Sequence, residues 1–154
     1  MQQPLSDKPT SADECPDTYP DQPVVAPDSR HVVVRFNGQV VADSHRTLRV
    51  LQRGIPPSFY IPPEDVRVEW LVASDLTTWC PYKGDANHYD LVVGEATSAN
   101  AAWCYPEPLE PYREIQYAIA FYANRVDACT VDGEEVTGDD SGGWITSEIV
   151  AGER

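Results

Sequence analysis

The chain has 154 residues, a length that suits one domain with tails, and 42% of them are hydrophobic, enough for a sizeable core. Its formal net charge is −14, and the acidity is concentrated at the two ends: residues 1–29 hold one Lys and six acids, residues 30–131 nine basic and twelve acidic residues, and residues 132–154 one Arg and seven acids. Such a field repels phosphate backbones and anionic membrane surfaces, which argues against a general nucleic-acid or membrane partner.

The apolar runs and the cysteines of the sequence predict the cellular location of the protein and its metal and cofactor content. No apolar run is long enough to cross a bilayer, and the start, MQQPLSDKPTSADECPD, lacks the basic and apolar regions of a signal peptide. We therefore expect a cytoplasmic protein with reduced cysteines. The four are Cys15, Cys80, Cys104 and Cys129, and none belongs to a C-x-x-C pair. The sequence accordingly predicts no structural metal and no cofactor.

The chain opens with an acidic, Pro-rich stretch. Residues 1–29 carry six of the fourteen prolines and few large apolar side chains, so we expect a disordered tail. Order is predicted to begin at Arg30, where two β-branched runs flank Asn37-Gly38, the strongest short hairpin signal. TLRVLQ (47–52) predicts the third strand.

The middle of the chain predicts short elements separated by prolines and one polar loop. In chain order they are a strand at SFYI (58–61), one helical turn at PPEDVR (62–67), a strand with period-two alternation at VRVEWLV (66–72), the polar loop TTWCPYKGDANHYD (77–90), and strands at HYDLVV (88–93) and NAAWCY (100–105).

PYREIQYAIAFYANRV (111–126) predicts the one main α-helix, because its apolar residues recur at helical spacing and Pro111 suits a first turn. The residues of that apolar stripe are Ile115, Ala118, Ile119 and Tyr122.

After the helix, Asp132-Gly133 predicts a final hairpin. Residues 138–154 read as a Gly-rich acidic tail whose Trp144 either docks on the core or pairs with another chain. About six to eight short strands with one helix predict a compact, mainly β, antiparallel domain over residues 30–137. An open sheet, a sandwich and a small barrel all fit this pattern.

Four sequence segments follow one another along the chain: VVVRFNGQVVADS, RTLRVLQRGIPPSFYIPPEDV, TWCPYKGDANHYDLVV and NAAWCYPEPLEPYREIQYAIAFY. In these segments the chain resembles the family known as domain of unknown function 427, over roughly Arg30 to Thr137. The most specific parts are CPYKGDA (80–86) and AAWCYPEP (101–108). The resemblance implies a tent-like or barrel-like β domain, similar in architecture to methionine-R-sulfoxide reductases. The family carries a nucleotidyltransferase-like label but brings no established reaction or catalytic residue.

Neither analogy transfers literally to this sequence. Common nucleotidyltransferases hold their metal ions with alternate acids on a strand after a Gly-Ser turn. The acidic pairs here, Glu134-Glu135 and Asp139-Asp140, are adjacent, so their side chains point to opposite faces of a strand. The paired zinc-binding cysteines common in the reductases are also missing.

Cys80 and Lys83 are the candidate catalytic residues. Cys80 precedes Pro81, and an ammonium three residues on would favour the nucleophilic thiolate. Lys83 is the only Lys after Lys8 in a chain that otherwise uses Arg, which suggests that a compact or deprotonatable amine is wanted there. The alternative is a small buried thiol beside a surface amine.

Candidate ligand-binding residues are Arg49, Tyr60, Tyr82 and Tyr89, since aromatic walls with a few polar groups are typical of small-molecule pockets. Arg49 recognises an anion if its strand face lines a cavity, and is otherwise a solvated strand residue. A metal site at Asp85, His88 and Asp90 is less favoured than a solvated loop, and Trp103 is expected in the core.

Three functions remain open. The first is a small-molecule-binding domain, with or without catalysis, whose ligand is an anion or a carbonyl compound. The second is a non-catalytic interaction module that uses the acidic tails and the Trp144 segment, which could also support a weak homo-oligomer. The third, resting on the family label alone, is nucleotidyltransferase-like activity.

Overall fold

The computed structural model describes residues 15–149, and this part of the chain is almost entirely β-structure. It contains thirteen strands: Val24–Asp28 (β1), Val32–Phe36 (β2), Gln39–Ser44 (β3), Thr47–Gln52 (β4), Ile55–Tyr60 (β5), Leu71–Cys80 (β6), Gly84–Val93 (β7), Ala96–Cys104 (β8), Ala120–Phe121 (β9), Ala128–Val131 (β10), Glu134–Glu135 (β11), Thr137–Gly138 (β12) and Trp144–Ile145 (β13). Five single 3₁₀ turns connect them: Pro16–Thr18, Pro63–Asp65, Val68–Trp70, Arg113–Ile115 and Ala123–Arg125.

The strands form antiparallel sheets with the orders β1-β4-β5, β11-β10-β2-β3, β6-β7-β8-β9 and β12-β13. This confirms a mainly β, antiparallel fold. The sheets do not close on themselves, so the barrel-like alternative is wrong for the described residues, and the strands outnumber the predicted six to eight.

Both predicted two-residue hairpins are confirmed. Asn37 and Gly38 have φ angles of 51° and 76°, and Asp132 and Gly133 have φ angles of 51° and 86°. Positive φ at both central residues is the type I′ geometry, whose twist matches that of the flanking strands. The turns are closed by Phe36 opposite Gln39 and by Val131 opposite Glu134.

The predicted helix over 111–126 is wrong. The segment holds two 3₁₀ turns and the short strand β9, and Tyr117 has a φ of 65°, which interrupts any helix. Ile119 instead exchanges two backbone hydrogen bonds of 2.8 Å with Ile61, and β9 pairs with β8. Three residues of the apolar stripe, Ile115, Ala118 and Ile119, are still buried, and so are Ala120 and Phe121 of β9.

Two predictions in the middle of the chain are also corrected. Residues 66–70 do not form a strand: Val66 makes one bridge to Ala42, and the chain then turns through Val68–Trp70 before β6 begins. The predicted loop over 77–90 is largely a hairpin, because β6 runs to Cys80 and β7 starts at Gly84.

The described ends of the chain pack on the domain. All five residues of β1 pair with β4, and Tyr112 Oη donates a 2.8 Å hydrogen bond to the Pro23 carbonyl. The sheet therefore starts at Val24, before the predicted boundary at Arg30, while residues 1–14 of the predicted tail lie outside the described part. At the other end, Trp144 is fully buried, stacks on Phe59 at 4.9 Å between ring centroids, and donates to the Phe121 carbonyl.

Buried apolar residues form two clusters. The larger joins β2, β3, β7, β8 and β10 around Val34, Phe59 and Trp144. The smaller is rich in aromatic rings and contains Tyr60, Trp103 and Tyr105. Within residues 15–149, the helical segments are all too short and too polar to cross a bilayer.

Candidate functional site

A partly enclosed pocket lies beside the aromatic cluster, between the β4–β5 hairpin and the inner face of the β6–β7–β8 sheet. Its cavity volume is about 230 Å³. The lining residues are Val50, Gln52, Ile55, Pro56, Ser58, Tyr60, Thr78, Lys83, His88, Trp103, Tyr105, Tyr122 and Ser141.

The aromatic walls are held by ring contacts and one hydrogen bond. Trp103 Nε1 donates to Tyr60 Oη at 3.2 Å, and the Trp103 ring packs on Tyr122 at 4.5 Å between centroids. Burial raises the pKa of Tyr60 and of Tyr105 well above the ordinary value, so both phenols stay protonated at neutral pH. Tyr60 Oη therefore accepts a hydrogen bond from Trp103 and keeps its own proton to donate.

Lys83 supplies the positive charge of the pocket. It lies in the tight turn between β6 and β7, where its carbonyl accepts a 3.0 Å hydrogen bond from the Leu109 amide. Its Nζ is 5.7 Å from the centroid of the Tyr105 ring, within cation–π range. No Asp or Glu is among the lining residues. An ammonium without a neighbouring carboxylate in the lining can act as the counter-ion of an anionic ligand.

His88 is the buried polar group of the pocket. It is 3% exposed, its Nε2 is 3.0 Å from Thr78 Oγ1, and its Nδ1 has no hydrogen-bond partner among residues 15–149. Its ring stacks near those of Trp103 and Tyr122. Burial, and secondarily the charge of Arg125, lowers the pKa of His88, so the imidazole is neutral at pH 7.

The structure brings two of the predicted site residues, Lys83 and Tyr60, into one pocket. Cys80 and Tyr82 lie next to it: both are partly buried against the same aromatic cluster but are not among the lining residues. The tight turn explains this, because Cys80 pairs with Gly84 across the hairpin while Lys83 reaches the cavity.

Arg49 and Tyr89 are placed elsewhere. Arg49 is 7% exposed, and its Nε lies 3.0 Å from Asp28 Oδ2 in a buried ion pair. Its guanidinium also sits 5.8 Å from the centre of the Phe59 ring. Tyr89 packs against the larger core cluster, and its Oη is 3.5 Å from Cys104 Sγ, a contact that with burial raises the pKa of Tyr89 to about 12.

Sequence reasoning missed His88, Trp103, Tyr122 and Ser141 as pocket residues. The signal for His88 was its period-two spacing from Gly84 and Ala86, which share its buried face of β7. The predicted loop hides this signal, because it covers Gly84 and Ala86 and the predicted strand begins only at His88. Ser141 carried no signal, since only the folded chain brings residues 139–143 to the pocket.

In the part of the chain that the structure describes, the acidic and sulfur-bearing side chains do not gather into a metal site. Between residues 15 and 149, no three His, Cys, Asp or Glu residues are grouped so that they could hold an ion. Asp90, a hypothetical metal ligand together with His88, instead accepts a 2.8 Å hydrogen bond from the Asn100 amide. All four cysteines are free.

Comparison with known proteins gives one family. The family model described as Domain of unknown function (DUF427) matches residues 24–132, more than half of the chain. This span includes β1 to β10 and every lining residue of the pocket except Ser141. No curated protein matches the chain in sequence.

Proposed function

Because the chain belongs to the Domain of unknown function (DUF427) family, which prescribes no reaction, we propose its function from the pocket itself. We propose that the domain binds a small organic monoanion with a planar, largely apolar body. Lys83 is the counter-ion, Tyr60 donates a hydrogen bond, and the rings of Trp103, Tyr105 and Tyr122 contact the apolar body.

One observation carries the proposal: among residues 15–149, a single ammonium and no carboxylate line a pocket walled by aromatic rings. In a chain of net charge −14, composition alone would not predict a cavity lined by a positive charge and no negative one. Aromatic walls exclude water and so strengthen the attraction between Lys83 and an acid group. The neutral His88 adds no second charge, which favours one acid group over two.

The dimensions support a small ligand. At about 30 Å³ per water molecule, a cavity of about 230 Å³ holds about eight waters, the space of one aromatic ring with an acid group. The edge-on arrangement of Trp103 against Tyr60, at 88° between ring planes, presents both a ring face and a ring edge to such a body.

A thermal-shift screen with matched acids and amides tests the proposal. Benzoate, nicotinate and indole-3-carboxylate are each compared with the corresponding neutral amide, together with the matching aldehydes, because Lys83 also suits a carbonyl ligand. A ligand at 100 times its dissociation constant adds about 2.7 kcal/mol of apparent stability. We expect at least one acid to stabilise the protein and its amide to do so far less.

The control variant is Arg67→Met, which removes an exposed positive charge outside the pocket. It should respond to the acids as the natural chain does, while Lys83→Met should not. Equal responses of the acid and its amide, or of Lys83→Met and Arg67→Met, would contradict the proposal.

An interaction module is the second candidate, favoured by β6. This strand ends its sheet and exposes Val72, Leu76 and Trp79, the last with 70% of its surface accessible. Long edge strands with apolar side chains can pair with another chain. A dimer in sedimentation analysis that Trp79→Ser disrupts would support this candidate, and a monomer at high concentration would count against self-pairing.

The nucleotidyltransferase-like label gives a third candidate, which is tested by adding nucleoside triphosphates with Mg²⁺ to the screen. The pocket lining offers no carboxylate to hold metal ions for such a transfer, so we place this candidate last. We keep the cytoplasm as the proposed location, and the four free thiols suit a reducing compartment.

A further inference from the structure

The C-terminal hairpin contributes a part of the pocket that lies outside the family-matched span. This hairpin consists of β12 and β13, and its tip is residues 139–143. The family match ends at residue 132, yet Ser141 in the tip lines the pocket. The pocket of this chain is therefore not completed by the matched domain alone.

The tip contacts two facing walls of the pocket. A Cβ added at Gly142 would overlap the indole of Trp103, and a Cβ added at Gly143 would overlap the carbonyl of Pro56. Trp103 and Pro56 both line the cavity, from β8 and β5 respectively. Only glycines allow the backbone to approach both walls this closely, and Gly142, with a φ of 87°, also needs a glycine for its backbone conformation.

Contacts on both sides fix the position of the tip. Trp144 anchors it from the core side, with its Nε1 3.0 Å from the Phe121 carbonyl. On the solvent side, Arg125 Nη2 lies 2.9 Å from Asp140 Oδ1, and the same guanidinium stacks 4.0 Å from the Tyr122 ring centroid. Inside the tip, Asp139 accepts a 2.9 Å hydrogen bond from the Ser141 amide.

The tip and Lys83 contact different aromatic rings of the pocket lining. Lys83 is near Tyr105, whereas the tip touches Trp103, and these two rings are two residues apart along the chain. Two residues of extended chain span about 6.6 Å, comparable with the length of one aromatic ring. A ligand whose acid group meets Lys83 beside Tyr105 and whose ring covers Trp103 would reach the tip with its far end.

We infer that the hairpin tip is the wall that limits the length of the ligand, with Ser141 as the specificity-determining residue. This rests on the proposed binding of an aromatic monoanion. The tip excludes ligands extended opposite their acid group, because its backbone is held against Trp103 and Pro56 and cannot retreat without losing the Trp144 and Arg125 contacts.

The test uses the full chain and a series of benzoates that carry hydrogen, ethyl or butyl at the para position. Ser141→Leu adds bulk at the pocket lining, and Thr137→Leu adds the same bulk at a position of the same hairpin that does not line the pocket. We expect Ser141→Leu to raise the ratio of the dissociation constants of 4-ethylbenzoate and benzoate at least fivefold, and Thr137→Leu to leave it unchanged. In the natural chain, 4-butylbenzoate should bind more weakly than benzoate.

A second measurement does not depend on any ligand. The indole N–H resonance of Trp103, assigned with Trp103→Phe, should move in Ser141→Leu and stay in place in Thr137→Leu, while the resonance of the exposed Trp79 stays in place in both. If benzoates bind and Ser141→Leu changes neither the ratio nor the resonance, the inference is wrong and the proposed function stands. If no benzoate binds, the proposed function and the claim about ligand length are both wrong. The Trp103 resonance then shows only whether the side chain at position 141 reaches the pocket lining.

Discussion

Lys83 and His88 show which pocket residues a sequence can reveal. Lys83 was predicted because it is the only Lys after Lys8 in a chain that otherwise uses Arg. His88 was not, because its role depends on β7 pairing with β8 so that its ring stacks near Trp103. Arg49 is a predicted ligand-binding residue, but its side chain forms a buried ion pair with Asp28 instead. This pair could not be predicted from the sequence, because residues 1–29 were expected to be a disordered tail.

The thiols are expected to differ in reactivity. Burial raises the pKa of Cys104 and of Cys129, which removes the reactive thiolate at neutral pH. Cys80 is only partly buried at the end of β6. Iodoacetamide should therefore modify Cys80 faster than Cys104 and Cys129 in the native protein, as measured by peptide mass spectrometry. Alkylation of all three at one rate would indicate that the aromatic cluster opens readily.

His88 should make stability depend on pH. Its pKa is lowered by burial from an ordinary value of 6.5, so in weak acid the unfolded chain binds a proton that the folded His88 does not. The contribution of His88 to the free energy of unfolding is therefore fully present above about pH 6.5. It decreases as the pH falls toward the lowered pKa of His88 in the folded state. Urea unfolding between pH 5 and 7.5 should show a smaller loss for His88→Gln than for the natural chain. Equal pH slopes would mean that His88 is accessible to protons in the folded state.

Elements whose geometry is local were predicted, and those that depend on distant partners were not. The Asn37-Gly38 and Asp132-Gly133 turns need only residues that accept positive φ, which the dipeptides themselves supply. The segment 111–126 has helical spacing, yet Ile61 and β8 offer it backbone partners, so sheet contacts prevail over local propensity. The β6–β7 hairpin was missed because its inner face carries small and polar residues instead of a hydrophobic alternation.

Ile119 should be a major stabilising contact even without a helix. It is 5% exposed and packs in the larger core cluster. Ile119→Ala should reduce the free energy of unfolding by about 2–5 kcal/mol, measured by chemical denaturation. The control is Leu109→Ala, since Leu109 is 49% exposed and should contribute far less. Comparable losses in the two variants would show that Ile119 is not packed as described.

Over the whole molecule, the segment before Arg30 divides into two parts with different expectations. Composition alone predicts that residues 1–28 are dispensable for folding, and for residues 1–14 this stays a prediction. Residues 24–28 instead complete the β1-β4-β5 sheet and bring the buried Asp28 carboxylate to Arg49. The C-terminal end also packs on the domain, because Trp144 is fully buried within its own chain. That the Trp144 segment joins two copies stays a prediction.

Truncation should separate these two parts. A chain that starts at Cys15 should unfold at nearly the temperature of the full chain. A chain that starts at Ser29 should lose about 3–5 kcal/mol of stability, because it lacks β1 and the buried ion pair between Asp28 and Arg49. Thermal and urea unfolding of the two chains measure the difference. Equal stabilities would show that β1 contributes nothing and that the fold begins at Arg30 after all.

The central claim is that Lys83 makes the aromatic pocket a site for an organic anion. The measurement that tests it most directly is calorimetric titration of the natural chain and of Lys83→Met with the best acid from the screen and with its neutral amide. Hydrogen bonds to charged groups contribute about 1.5–3 kcal/mol, so Lys83→Met should bind the acid at least tenfold more weakly and bind the amide as before. The melting temperature of the variant should equal or exceed that of the natural chain, since a partly buried ammonium is replaced by an apolar side chain of similar length. Acid binding that survives in Lys83→Met, or a loss of several kcal/mol of stability on that substitution, would contradict the account.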